Sequence, residues 1–198
     1  MAIGSISNGE VGSSVRSKLN ASLDFIDNIE SNMIIERVYD GVSSLTAQEP
    51  SGIDIPIFIQ FGAVQGTPSD PVQTLAQGGD TEASILRINQ AGTYRIKIQA
   101  AIGRTGSANT SIINLRALIN GTQAGRSVQL KFSSATTTSD FIDEAWLTLP
   151  AGVDITYQLI RDTASHDSGG LLSGTVGNAG WNASTSAALR VERWVSGV

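Results

Sequence analysis

The sequence predicts an all-β antiparallel domain behind a short N-terminal helical arm. Over residues 11–33, apolar residues recur at spacings of three and four. From Ile53 onward the period falls to two, in short segments separated by turns rich in Gly, Pro and Asn. No helical crossover pattern lies between those segments, which argues against a parallel α/β sheet.

In the arm, Val15, Leu19, Leu23, Ile26, Ile29 and Met33 draw one apolar stripe along a helix. Arg16, Lys18, Asp24, Asp27 and Glu30 fall largely off it. Asn8-Gly9-Glu10 or Ser13-Ser14 supplies the cap. An isolated helix with so narrow a stripe is marginal and needs a partner. That partner is its own domain, sister chains in a coiled coil, or another protein on which the arm docks. Residues 34–52 are transitional: Ile34, Ile35, Val38 and Tyr39 suit a short strand or a helix end, and Gln48-Glu49-Pro50-Ser51-Gly52 suits a linker or turn. The expected division is an arm and linker over 1–45 and a β domain over 46–198.

Candidate strands lie near 53–61, 72–75, 84–88, 93–102, 111–120, 127–132, 141–149, 154–162 and 186–194. The clearest is 93–102, where Tyr94, Ile96, Ile98 and Ala100 alternate with Arg95, Lys97 and Gln99. Val128, Leu130 and Phe132 alternate with polar neighbours in the same way, as do Ile155, Tyr157 and Leu159. Ala91-Gly92, Asn120-Gly121 and Pro150-Ala151-Gly152 punctuate the strands as turns. A spacing of roughly ten residues per strand suits a sandwich, jelly roll or barrel. Two strands are apolar on both parities. Ile142 and Trp146 oppose Phe141, Ala145, Leu147 and Leu149, and Leu118 opposes Ile113, Leu115, Ala117 and Ile119. Such outward apolar groups are covered by loops or by a neighbouring subunit.

Composition narrows the function. With 198 residues the chain buries a sizeable core unaided, and without cysteine it has no disulfide and no thiolate metal site. A net charge of −5 with no basic stripe speaks against nucleic acid as a partner. No run of about 18 apolar residues marks a membrane span, and Met1-Ala2-Ile3-Gly4-Ser5 lacks the pattern of a signal peptide, so the expected product is soluble and cytoplasmic. The sequons at Asn20, Asn109, Asn120 and Asn182 then carry no glycans.

Catalytic signals are weak. The single histidine, His166, sits beside Asp162 and Asp167, but the chain has no Gly-x-Ser-x-Gly elbow and no further ligands at metal-site spacing. His166 therefore suits a polar loop. Asp143 and Glu144 are neighbours on opposite faces of a strand, and the scattered carboxylates show no glycosidase pair. Gly169-Gly170 and 177–180 lack the Lys-Ser/Thr of a phosphate loop. No cofactor and no metal are expected. The stretch 163–182 is the longest irregular piece and holds the candidate ligand-contacting residues His166 and Trp181, with Leu171 and Leu172. Trp181 either stacks on a sugar or, more simply, plugs the end of the sandwich.

Two resemblances sharpen this picture. Ile88-Asn89-Gln90-Ala91-Gly92-Thr93-Tyr94 is similar to the entry into a central strand of the tumour-necrosis-factor and complement globular-head jelly rolls. Trp146-Leu147-Thr148-Leu149-Pro150-Ala151-Gly152-Val153 resembles their following hairpin, with Val153 before Asp154 as a departure, and 186–194 their closing strand. This resemblance covers residues 52–198 and implies a jelly-roll sandwich in a tight homotrimer, joined through apolar sheet faces on the three-fold axis. On parity, Ile142 and Trp146 are the candidate trimer-interface residues.

The arm segment Gly9-Glu10-Val11-Gly12-Ser13-Ser14-Val15-Arg16-Ser17-Lys18-Leu19-Asn20 resembles the start of many tailed-bacteriophage fibre and decoration proteins, where it precedes a β-rich head and anchors it to the virion. Residues 49–56, running into Phe61-Gly62, are similar to phage structural proteins of this kind. This second resemblance implies a virion protein made in the host cytoplasm. Val11, Val15, Arg16, Lys18, Leu19, Leu23 and Ile26 would form the anchor, and the major capsid protein or another virion protein would be the partner. The expected function is a non-enzymatic capsid decoration, cement or head-fibre protein. The alternative is a short tail-fibre or receptor-binding tip whose loops, 103–109, 133–139 and 163–182, touch a host surface glycan or protein. A depolymerase is a third, weaker expectation.

Overall fold

The computed structural model describes Val15 and residues 17–20, 36–42, 48–80, 82–104, 110–133, 138–162, 169–173, 180 and 184–194, with the backbone course alone for 36–42. Val15 and residues 17–20 are helical, at the start of the expected arm, and the rest of 11–33 lies outside the described residues. Everything after is strand and turn: β1 (Glu36–Val42), β2 (Ile57–Phe58), β3 (Val72–Leu75), β4 (Ile85–Ile88), β5 (Gly92–Gly103), β6 (Ser111–Ile119), β7 (Thr122–Phe132), β8 (Thr138–Leu149), β9 (Val153–Arg161), β10 (Gly170–Leu171) and β11 (Ala187–Trp194).

All pairings are antiparallel, and they nest. β6 pairs β7, β5 pairs β8, β4 pairs β9 and β1 pairs β11, so one long ribbon of four strand pairs is wound on itself. Winding brings β11 beside β5 and β9 beside β6, giving two sheets of order β1-β11-β5-β8 and β3-β4-β9-β6-β7. That order is a jelly roll. Short β10 and β2 extend the flanks of β5 and β9 respectively.

Turn chemistry sets the folds of the ribbon. Ile119 opposes Thr122 across a two-residue loop in which Asn120 and Gly121 have φ of 49° and 77°. Both loop residues thus take the left-handed region that a tight twisted hairpin demands. Asn120 Oδ1 also accepts the Asp154 N–H at 2.9 Å, tying this turn to the start of β9. Between β8 and β9, Gly152 supplies the positive φ of 84°.

The core lies between the sheets. From the β5 sheet come Tyr94, Ile96, Ile98, Ala100, Ile102, Leu189 and Val191, and from the β9 sheet Leu86, Ile88, Ile113, Leu115, Ile155 and Leu159. Tyr94 is fully buried, and its hydroxyl donates to the Gln90 carbonyl at 2.6 Å. Phe61 meets Tyr157 edge-on, with ring centroids 6.0 Å apart. Burial pushes the Tyr157 hydroxyl well above its ordinary value, and the nearby Asp143 carboxylate adds to the shift. Asp143 stands opposite Ile98, on the core-side parity of β8, yet is exposed because β8 ends its sheet among the described residues.

Several elements differ from the sequence-based expectation. Strand β1 joins β11 from the N-terminal side of residue 46. Expected linker residue Gln48 is clamped into the domain: its backbone pairs both ways with Leu171 at 3.0 Å, and its side chain bonds both the N–H and the carbonyl of Gln60. Leu171 is therefore a fully buried strand residue inside the stretch expected to be irregular. Of the segment expected as a strand over 53–61 only 57–58 is regular strand, although Asp54 and Ile59 also donate backbone hydrogen bonds to the Arg161 and Tyr157 carbonyls of β9, and Asp54 takes a φ of 58°. Leu118 is 5 % exposed, beside Thr156 and Gln123, so the chain itself covers this outward residue.

Ile98→Ala should cost about 2–5 kcal/mol of unfolding free energy, as a cavity in a fully enclosed site does, with chemical denaturation as the check. Tyr157 gives a pH signature. Its neutral form is favoured in the fold, so its contribution is complete below the ordinary tyrosine value of 10.0 and is lost as pH rises above it. The unfolded chain then releases a proton that the folded chain retains, a loss of about 1.4 kcal/mol per pH unit from this group. Urea melts above about pH 10 should show Tyr157→Phe losing less stability per pH unit than the wild type; equal slopes would exclude the effect.

Candidate functional site

Alternation in the β5 sheet places one set of side chains outside as strictly as it buries the other. On β5 the outward residues are Thr93, Arg95, Lys97 and Gln99; on β8 they are Ile142, Glu144, Trp146 and Thr148; on β11 they are Arg190, Glu192 and Trp194. Register stacks them in rungs. Trp146, Arg95 and Glu192 form one, Glu144, Lys97 and Arg190 the next, and Ile142, Gln99 and Ala188 the third.

Arg95 organises the centre. Its Nε and Nη2 donate to the two oxygens of Glu144 at 2.8 and 3.0 Å, and its Nη1 donates to Glu192 Oε2 at 3.0 Å. Its guanidinium also lies 5.8 Å from the centre of the Trp146 ring. The Arg95 hydrogen bond holds the Glu144 carboxyl below its ordinary value, and the two carboxylates raise Arg95 in turn. Arg95 and Glu144 are partly exposed and Glu192 is largely buried, so the exposed Arg95–Glu144 pair acts here chiefly through orientation: a bidentate fork fixes the plane of the guanidinium.

Trp146 and Trp194, from strands on either side of β5, meet edge-to-face at 6.3 Å. They remain 52 % and 41 % exposed, and Ile142 is 56 % exposed. Ile142 lies four residues from Trp146 on the same face, about 13 Å along the strand. Large apolar groups of this kind, grouped on one sheet face, mark an interaction surface more strongly than scattered ones do. Three cations, Arg95, Lys97 and Arg190, stand against two carboxylates, Glu144 and Glu192. The centre of the face is therefore mildly positive on a chain of net charge −5. Lys97 and Arg190 sit directly opposite each other, and carboxylates answer both: Glu144 lies across from Lys97, and Arg190 Nε lies 3.6 Å from Glu192 Oε1.

Of the residues singled out in the sequence, the structure brings Ile142 and Trp146 onto this one face. It adds Trp194 and the Arg95 ion-pair cluster. Alternation about Leu189 and Val191 places Trp194 outward, whereas the Arg95 cluster depends on register between distant strands. In the arm, Val15 is half-buried and Leu19 is 50 % exposed, and both lie with Lys18 on the helical turn. Val11, Arg16, Leu23 and Ile26 lie outside the described residues, as do His166 and Trp181. Among the described residues, no group of three or more His, Cys, Asp or Glu side chains is placed to hold a metal ion.

No family model matches the chain, and no curated protein matches it. Among solved structures the chain is similar to the globular domain of zebrafish complement 1qA protein, at 13 % sequence identity and a TM-score of 0.38, over 80 % of this chain and 97 % of that one.

Proposed function

We propose that the protein is a non-enzymatic virion structural protein of a tailed bacteriophage, a decoration, cement or head-fibre protein. In this reading it trimerises through the outer face of the β5 sheet and is held to the particle by its N-terminal arm. The observation that carries self-association is the exposed Trp146–Trp194 pair with Ile142 on a face that also holds organised charges of both signs. A surface bearing both guanidinium and carboxylate groups can complement a copy of itself, and a closed ring repeats the contact without leaving an open end. The jelly-roll winding agrees with the family resemblance read from the 88–94 and 146–153 segments. The virion role rests on the arm's resemblance to phage anchoring segments. Repetition on a symmetric shell would turn a weak arm contact into firm attachment. A tail-fibre tip remains the second reading, favoured by the polar groove described below.

Multi-angle light scattering should give a mass three times that of the chain. Trp146→Glu or Ile142→Glu should weaken assembly at least tenfold, about 1.4 kcal/mol, by setting a carboxylate in the contact. A monodisperse monomer at micromolar concentration would sink the trimer. Deleting residues 1–33 leaves β1 whole, since it starts at Glu36. The truncated protein should remain a folded oligomer yet no longer bind capsids, and retention of capsid binding would remove the arm from the attachment.

A further inference from the structure

The outer face of the other sheet carries a groove of about 550 Å³, within the size that small-ligand sites occupy. Its floor is β6 and β9. One wall is the chain at Asp54 and Pro56 entering β2; the other is β7 at Ser127 and Gln129. Both walls are shaped by unusual backbone. Asp54 holds a φ of 58°, and β7 bulges at Gly125, φ 72°. Pairing there passes from Leu115–Val128 directly to Ala117–Ala124, so residues 125–127 face Arg116 alone.

The polar groups in the groove are tied together. Arg116 Nε and Nη2 donate to Gln158 Oε1 at 2.9 and 2.7 Å, and Nη1 donates to Gln123 Oε1 at 3.4 Å. Gln129 donates to Asn114 Oδ1 at 3.1 Å, and Asn114 donates to Asp162 Oδ2 at 3.3 Å. Gln158 is 8 % exposed, so the amide that orients Arg116 is itself held in the sheet. A guanidinium has five N–H donors. Three serve amide oxygens here, which leaves two for an incoming acceptor, and no carboxylate pairs with Arg116 among the described residues.

We infer that this groove binds a neutral carbohydrate. Planar amide, guanidinium and carboxylate edges each match two adjacent hydroxyls, and here Arg116, Gln158, Asn114, Gln129 and Asp162 are oriented by hydrogen bonds among themselves. Pro56 and Ile160 supply apolar surface for the C–H faces of a sugar ring. Charge selects the class. Among the described lining residues Arg116 alone stands against Asp54 and Asp162, so this lining is net negative and disfavours a polyanion. A neutral polyol is served instead, with carboxylates accepting and the guanidinium donating. The inference does not depend on self-association, since the groove and the Trp146 face lie on opposite sheets.

The test uses the full-length protein on immobilised neutral oligosaccharides of hexoses and N-acetylhexosamines, with heparin as the polyanion. At least one neutral glycan should bind, with little salt dependence. Arg116→Ala should weaken that binding at least tenfold, and so should Ser127→Trp, which fills the groove from its rim; it removes the hydrogen bond that Ser127 Oγ accepts from Gln123 but leaves the paired donation from Arg116 to Gln158. The bound sugar should shift the side-chain amide resonances of Asn114, Gln129 and Gln158. Circular dichroism and light scattering on both variants, unchanged from wild type, separate loss of the site from loss of fold or assembly. Failure of every neutral glycan to bind, unchanged binding in both folded variants, or tighter binding to heparin would each overturn the inference.

Discussion

Everything in the molecule hangs on the alternation of β5. This strand pairs β8 along its whole length on one side and β11 then β10 on the other. Its register therefore sets the facing of its sheet. Tyr94, Ile96, Ile98 and Ile102 can be buried only if Arg95, Lys97 and Gln99 are outside. A slip of one residue would drive a guanidinium and an ammonium into the core, a penalty no local contact could offset. Core and candidate assembly surface are thus two sides of a single constraint, and neither can change register without the other.

The same constraint explains what could be seen in the sequence. β5, β9 and β11 appear within a residue or so of their observed bounds, because clean alternation is both the signal and the cause of the strand. The Asn120–Gly121 turn was equally visible, since few other residues tolerate its backbone. β1 was obscured: Glu36-Arg37-Val38-Tyr39-Asp40-Gly41-Val42 lacks a clean alternation and forms by pairing with a strand some 150 residues later. The first half of β7, Thr122–Ser127, likewise has no apolar pattern. It is a strand because the tight hairpin lays it beside β6.

For the surfaces, parity was sufficient to pick out Ile142 and Trp146, but not what surrounds them. Arg95 gains its importance from Glu144 and Glu192, which lie 49 and 97 residues away in the chain. The groove was still less visible. Its amides are unremarkable residues one by one, and only the lateral order β9-β6-β7 sets Gln158, Arg116, Asn114 and Gln129 side by side. Sequence periodicity reports facing within a strand; neighbours across strands are a property of the winding.

Asp143 bears on how such a protein avoids a harmful kind of growth. β8 is the last strand of its sheet among the described residues, and its free backbone groups are a template on which another β-strand could add. A carboxylate on the core-side parity of that strand stays solvated only while nothing lies alongside it. Edge-to-edge stacking would strip its water and leave a bare charge beside the apolar filling of the sandwich. Contact between sheet faces leaves Asp143 in water. The placement of one side chain thus separates two routes of polymerisation, disfavouring the open-ended ladder that leads to fibrils while leaving finite, face-to-face association unhindered.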